Sequence, residues 1–427
     1  MPSWLKQRLG RQATVGQQVG SELRSPGQLE VAWPVASGEP AGLVQSEGPR
    51  GPFWSRTECF KGSDRHGDWS LESVDQAQTQ IFAWLTGDAA LAGLDPRQAV
   101  YLDTETTGLS GGAGTWVYMV GLGRFLPCGG FELWQGFMRG PEDEPALLSE
   151  AARRIAAASS LVSFFGKSFD RHRLEDKMRL CGVDPPFAAL PHLDLYHPLR
   201  RLFGGSFDDG RLATLEAELC GLERGVDLPG SQAPAAWFDY LAERPHRLEG
   251  VFHHNRLDVL SLVTLLGWLG HAGGESGPGG EPLEGPAEAR RRGLVRSCAK
   301  VRDWEAALHF VEAALVEEPE ARDLALARAE VLRRVGQNEA AGEALEALAG
   351  APEDSFTAPV LAAWAKWLEH CGRDRIAALA ACRRAREYLE LVPPGKARGA
   401  LVRDLERRTA RLELRCAGDQ PGTDSPR

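Results

Sequence analysis

Long apolar runs are missing from this sequence. None of its 427 residues belongs to a stretch approaching the ~18 apolar positions that a membrane helix needs. The opening MPSWLKQRLGRQATVG carries charge but no apolar core of signal-peptide type. The expectation is a soluble, cytoplasmic protein that does not cross a membrane. CxxC spacing is missing too. The eight cysteines stand at 59, 128, 181, 220, 298, 371, 382 and 416, mostly in apolar, helix-like surroundings. That excludes a zinc ribbon or a compact disulfide framework, and it predicts reduced, mostly buried thiols. Nor is there an excess of positive charge: 49 Lys+Arg face 59 Asp+Glu, a net charge of -10. Whole-chain charge therefore argues against a basic nucleic-acid coat protein. Two nucleotide fingerprints also fail. Gly166-Lys167-Ser168 lacks the upstream glycine of a P-loop, whose place is taken by Leu161. Gly111-Gly112-Ala113-Gly114 precedes a strand rather than a helix, so it reads as a flexible turn and not a dinucleotide site.

What is present is a chain long enough for roughly two to three domains, with 43% apolar residues to build cores. Residues 1–70 are rich in Gly, Pro, Ser and Gln and read as a loose, partly disordered extension. Residues 75–270 alternate between strand and helix patterns, which predicts a mixed sheet flanked by helices. Residues 271–287 (HAGGESGPGGEPLEGPA) read as a linker. Residues 288–416 read as helix throughout, with comparable helices roughly 34 residues apart, as in tetratricopeptide-like arrays of helical hairpins. Residues 417–427 are expected to be a disordered tail.

The strongest chemical signal is Tyr101-Leu102-Asp103-Thr104-Glu105-Thr106-Thr107-Gly108-Leu109. Alternation along a strand puts Asp103 and Glu105 on one face. Two carboxylates ending a strand before a glycine turn can hold hard divalent cations, or can simply be solvated acids on an edge strand. Asp170 follows the apolar run LVSFF and a short turn, at a strand-to-helix junction. Asp258 lies in the polar cluster His253-His254-Asn255-Arg256-Leu257-Asp258, which interrupts an apolar helix where unpaired charge is expensive. His254 and Asp258 are four apart and share a helical face. Asp194 reads as structural. The Arg171, Arg173 and Lys177 cluster could meet phosphates or form a solvated helix face.

These three stretches, in order, resemble the motifs of the DEDD exonucleases, a branch of the ribonuclease H-like superfamily. Asp103-Thr104-Glu105-Thr106-Thr107-Gly108-Leu109 is similar to the first motif. Phe165-Gly166-Lys167-Ser168-Phe169-Asp170 is similar to the second, and His254-Asn255-Arg256-Leu257-Asp258 to the third. Further stretches (109–125, 192–203, 213–241 and 254–266) resemble the bacterial YprB-like ribonuclease H-like family, often joined to tetratricopeptide-like helices. The resemblance covers residues 50–270 well and the helical array loosely.

The resemblance implies a ribonuclease H-like α/β fold and a metal-dependent 3′→5′ exonuclease acting on single-stranded DNA or RNA. Asp103, Glu105, Asp170 and Asp258 would hold two Mg²⁺ or Mn²⁺ ions ~4 Å apart. His254 would be the general base, with His253 as the alternative. Thr106 and Leu109 would flank the terminal nucleotide, and Lys167, Phe169 and Arg171 are candidate substrate contacts. Phe165 departs from the pattern, which usually has Asn there. The rival readings are a structure-specific endonuclease at the same site and a weakly active nucleic-acid-binding scaffold. The helical array would then hold a protein partner.

Overall fold

The computed structural model describes residues 33–108 and 114–418. The chain divides into two compact units. One runs up to Arg200 and resumes over Gly204–Gly285; the other comprises Arg201–Phe203 and Pro286 onward.

The first unit is built on a seven-stranded sheet. Its strands are β1 (Val44–Gly48), β2 (Gly51–Phe60), β5 (Ala99–Thr106), β6 (Val117–Phe125), β7 (Phe131–Phe137), β8 (Ser160–Ser163) and β9 (His192–Asp194). Between β2 and β5 lies a separate two-residue ladder, β3 (Arg65–His66) with β4 (Trp69–Ser70). The sheet order is β1-β2-β7-β6-β5-β8-β9. β1 to β5 pair antiparallel along this order, while β5-β8 and β8-β9 are parallel, so the sheet is mixed. β5 is central because both of its faces are apolar up to the acids. Val100, Tyr101 and Leu102 are all buried, as suits a strand covered on both sides.

The flanking helices of this unit are α1 (Gln80–Thr86), α2 (Glu144–Ala156), α3 (Asp170–Leu180), α4 (Tyr196–Phe203, of which the last three residues fall to the other unit), α5 (Leu212–Cys220), α6 (Ala233–Leu241) and α7 (Leu248–His271). Leu147, Leu148 and Ile155 of α2, Leu174 and Met178 of α3, Trp237 of α6 and Val251 and Phe252 of α7 share one core with Leu102, Val120, Trp134 and Leu161 of the sheet.

The loose extension expected over 1–70 is corrected by the structure from Val44 onward. There β1 and β2 form a hairpin, and β2 pairs along its length with β7. Phe53, a residue of that expected extension, is buried in the core. Residues 1–32 lie outside the described residues. The expected linker contains a Ser276–Pro282 bridge and a Gly277 N–H bond to the Glu281 carbonyl.

The second unit is all helix: α8 (Ala287–Val301), α9 (Trp304–Glu317), α10 (Arg322–Arg334), α11 (Asn338–Ala349), α12 (Thr357–Trp367), α13 (Arg375–Glu387) and α14 (Lys396–Gly418). Each helix packs on the next, so the unit is a run of helix pairs. Small residues at the contacts (Ala307, Ala314, Ala341, Ala365, Ala378) are fully buried and let the helices approach. The tail expected over 417–427 lies, from residue 419 on, outside the described residues. All eight thiols are free, and Cys220, Cys298 and Cys382 are buried. No helix among the described residues is long and apolar enough to cross a membrane.

Candidate active site

The acids gather at the C-terminal end of β5. Asp103 lies opposite Gly121 of β6 in the ladder. A Cβ at Gly121 would stand 2.3 Å from Asn255 Oδ1, so a side chain there would displace α7. Asn255 uses the space to donate from Nδ2 to Asp103 Oδ2 at 2.7 Å. Gln135 Nε2 in turn donates to Asn255 Oδ1 at 2.9 Å, which fixes the amide's orientation. The register shifts between Glu105 and Thr106, a bulge of the kind that re-aims a strand end beside a site.

Thr104 points to the opposite face and donates its hydroxyl to Asp170 Oδ1. Asp170 is the first residue of α3 and is buried. Gly166 makes the approach possible. A Cβ there would meet Ser163 Oγ at 2.4 Å and Asp170 Oδ2 at 3.3 Å.

Asp258 and His254 come from α7, one turn apart. His254 Nε2 is 3.6 Å from Asp258 Oδ2. The other ring nitrogen, Nδ1, lies 2.9 Å from Asp227 Oδ2. An ionised carboxylate only accepts, so Nδ1 carries the hydrogen and Nε2 is left facing the acids. His253 is turned away, its ring 5.0 Å from that of Trp33. The structure thus places His254, not His253, beside the acids.

Three of the carboxylates are shifted by burial and by their acidic neighbours. Burial pushes Glu105 up to about 8; His254 works against this, while Asp258 and Asp170 add to it. Asp103 is driven well above the usual carboxylate range by burial first, then by Asp258, Glu105 and Asp170. Burial raises Asp170 to about 6 against the Thr104 hydrogen bond, with Asp194 and Asp258 adding. Burial opposes charge on His254, but Asp258, the Asp227 hydrogen bond and Glu105 outweigh it and push the ring up to about 10.

Several groups of the site carry no signal in the motifs. Arg224, between α5 and α6, donates to Glu216 through both Nε and Nη2, to Asp227 through Nη1, and to Asp258 through Nη2. Glu216 also accepts from Ser261 Oγ, whose oxygen lies 2.8 Å from His66 Nε2. The chain of contacts therefore runs from the β3-β4 ladder to Asp258. Glu216 is fully buried in a leucine-rich helix, and that charge among apolar residues was the available clue. Asp194 clamps the turn after β8, accepting from the backbone N–H groups of Phe165 at 2.8 Å and Lys167 at 3.0 Å.

The remaining sequence candidates are more dispersed. Thr106 Oγ1 is 3.4 Å from the Gly108 carbonyl, at the edge of the site. Leu109 lies outside the described residues. Phe169 precedes Asp170 and carries the Arg173 guanidinium over its ring at 5.1 Å. Arg171 pairs with Glu175 at 2.7 Å. Lys177 is buried, bonded to Glu144 at 2.8 Å and 4.3 Å from the Trp116 ring, so it does not reach a phosphate.

The acid donor set is oxygen-only and mutually repelling, with Glu105 and Asp170 buried and Asp103 and Asp258 partly so, which fits hard divalent cations. As the side chains stand, no three His, Cys, Asp or Glu groups among the described residues are gathered as ligands to one ion. Asp258 is instead held by Arg224, with Nη2 to Oδ1 at 2.5 Å.

Comparison with known proteins bears on the same residues. Residues 100–270 match the family described as the RNase_H superfamily, a span that contains every acid of the site. The uncharacterized protein YprB of Bacillus subtilis (strain 168) is 34% identical over 209 residues. That stretch covers 48% of this chain and 49% of YprB, so the chain spans about half the length of the curated relative it matches.

Proposed function

We propose that this chain, an RNase H superfamily protein by residues 100–270 and a YprB homologue over about half its length, is a divalent-metal-dependent nuclease of single-stranded nucleic acid. The observation that supports this reading is that Asp103 and Glu105 on one face of β5, Asp170 at the start of α3 and Asp258 on α7 lie near enough for their like charges to repel. When bound by those four, two Mg²⁺ or Mn²⁺ ions would lower the pKa of an attacking water and offset charge on the leaving oxygen.

The chain's own groups would do the rest. The negative charge of Asp258 and Glu105 is part of what keeps the His254 ring protonated. With that charge offset by bound cations, His254 would accept the water's proton at Nε2, the nitrogen that faces the acids. Asp227 holds the ring through Nδ1 and fixes the tautomer this role requires. Asn255 orients Asp103, and Thr104 orients Asp170. Arg224 balances Asp258 and would have to yield it for Asp258 to hold a cation. Thr106 would flank the terminal nucleotide. We read the direction as 3′→5′ from the similarity of the three motifs to DEDD exonucleases, and the helix pairs of the second unit as a tetratricopeptide-like surface for a protein partner.

The Arg224–Asp258 ion pair favours a second reading, a nucleic-acid-binding scaffold of low turnover, because it occupies one of the proposed ligands. Digestion of 5′-labelled single-stranded DNA and RNA with Mn²⁺ tests the choice. The nuclease reading expects progressive shortening from the 3′ end and intact circular strands. Cleaved circles indicate an endonuclease. Binding without shortening indicates the scaffold.

A further inference from the structure

Phe165 is an exposed aromatic in the turn that leads from β8 to Asp170 at the start of α3. The residue is 45% exposed, and its backbone sits at φ 59, in the left-handed region. Bulky L-residues pay for that conformation, whereas Gly and Asn adopt it at little cost. A residue kept there must be held by its surroundings. Here the hold is visible. Asp194 accepts from the N–H of Phe165 with one oxygen and from the N–H of Lys167 with the other. The Ser168 N–H closes the turn onto the Phe165 carbonyl at 3.3 Å.

The clamp presents an aromatic surface beside the site. The Phe165 ring meets the Tyr196 ring edge-on, with centroids 5.0 Å apart and planes at 80°. Tyr196 is buttressed by Phe164 behind it at 5.7 Å. Arg200 lies 5.9 Å over the Tyr196 ring and donates to its hydroxyl at 3.2 Å. Gly166, the next residue after Phe165, is the one whose Cβ would meet Asp170 Oδ2 at 3.3 Å. Phe165 is therefore next in sequence to a glycine that packs too closely on Ser163 and Asp170 to carry an unstrained side chain. Exposed aromatics interleaved with basic side chains are how single strands are gripped without sequence preference.

We propose that Phe165 and Tyr196 form a stacking platform for an unpaired nucleobase of the strand that enters the acid cluster. The platform rests on the nuclease reading above, and it names that site's substrate as a strand whose bases are free to unstack. Backbone conformation that disfavours phenylalanine is retained because the ring contacts substrate.

The test uses the full chain and oligonucleotides carrying 2-aminopurine at each of the last three 3′ positions, with Ca²⁺ in place of Mn²⁺. Stacking quenches 2-aminopurine, so the readout does not need turnover. The wild type is expected to quench one position several-fold. Phe165→Asn is expected to lose that quenching and to bind roughly tenfold more weakly, while its melting temperature stays level or rises. Phe165→Tyr is expected to keep both signals. A blunt duplex, whose bases are already stacked, should bind equally well to wild type and Phe165→Asn.

Equal quenching and equal affinity in wild type and Phe165→Asn would overturn the platform, as would loss of binding that merely follows loss of folding. The two readings separate cleanly. Phe165-dependent quenching without hydrolysis in Mn²⁺ keeps the platform and removes the nuclease. Hydrolysis that is indifferent to Phe165 keeps the nuclease and removes the platform. A chain that neither quenches nor hydrolyses removes both.

Discussion

Arg224 Nη2 stands 2.5 Å from Asp258 Oδ1, so one of the four site acids is ion-paired to a side chain of the same unit. The same guanidinium also neutralises Glu216, whose side chain is fully buried. Its loss would leave a buried charge without a charged partner, which typically costs ~3–5 kcal/mol. Arg224→Met should therefore lose several kcal/mol in denaturant unfolding. Adding Glu216→Gln should recover most of that loss, because the orphaned charge is removed with it. A double variant as unstable as the single one would show that Glu216 is not what Arg224 stabilises.

The acid cluster costs stability when no cation offsets it. Glu105 titrates near 8 in the fold and near 4.5 when unfolded. The folded state thus keeps a proton that the unfolded chain releases between those values. Stability falls as pH rises through that window, by ~1.4 kcal/mol per pH unit at most. Glu105→Gln should raise the melting temperature of chelator-treated protein, and more at pH 8 than at pH 5. Mn²⁺ should raise the wild type's melting temperature and have little effect on the variant. A variant that melts lower than wild type at pH 8 would contradict this.

Two buried histidines set the acid limb. Burial lowers His66 to about 4, with Arg224 and Arg256 adding; burial lowers His192 to about 3, with Lys167 and Arg171 adding. Both stay neutral in the fold while the unfolded chain protonates near 6.5. Their stabilising contribution is complete above pH 6.5 and is lost as pH falls toward those lower values. His192→Gln should therefore flatten the fall in stability between pH 6.5 and 4, by ~1 kcal/mol per pH unit. An unchanged slope would rule out His192 as a contributor.

Asp227 acts through His254. Asp227→Asn leaves the ring free to turn or to take the other tautomer, so kcat should fall by about 10- to 100-fold with KM little changed. His253→Ala should stay within about twofold of wild type, since His253 packs on Trp33 instead of facing the acids. Equal losses in His253→Ala and His254→Ala would count against the assignment.

Much of this site was legible because its geometry is local. The alternation of β5 set Asp103 beside Glu105, and helical spacing set His254 one turn from Asp258. Strand and helix patterns also sufficed for the mixed sheet and the helix pairs. The β1-β2 hairpin was not legible, because β2 takes its ladder from β7, roughly seventy to eighty residues on, and its flanks are rich in Gly and Pro. Arg224 and Asp227 sit in a loop, and their meaning comes from contacts with α5 and α7 that no local pattern announces. The same holds for Asp194, expected to be structural, whose clamp on Phe165 and Lys167 exists only once β8 and β9 lie side by side. Net acidity argues against a basic coat protein but not against the proposed function, because a site that met phosphate through cations would need acids of its own.

The most direct test of the account is the Mn²⁺-dependent hydrolysis rate of a 5′-labelled single strand by wild type and by Asp103→Asn at matched folded concentration. The account predicts measurable shortening by the wild type, abolished by chelator, and a loss of at least about 100-fold in Asp103→Asn. Undiminished hydrolysis by Asp103→Asn, or none by the wild type, would contradict it.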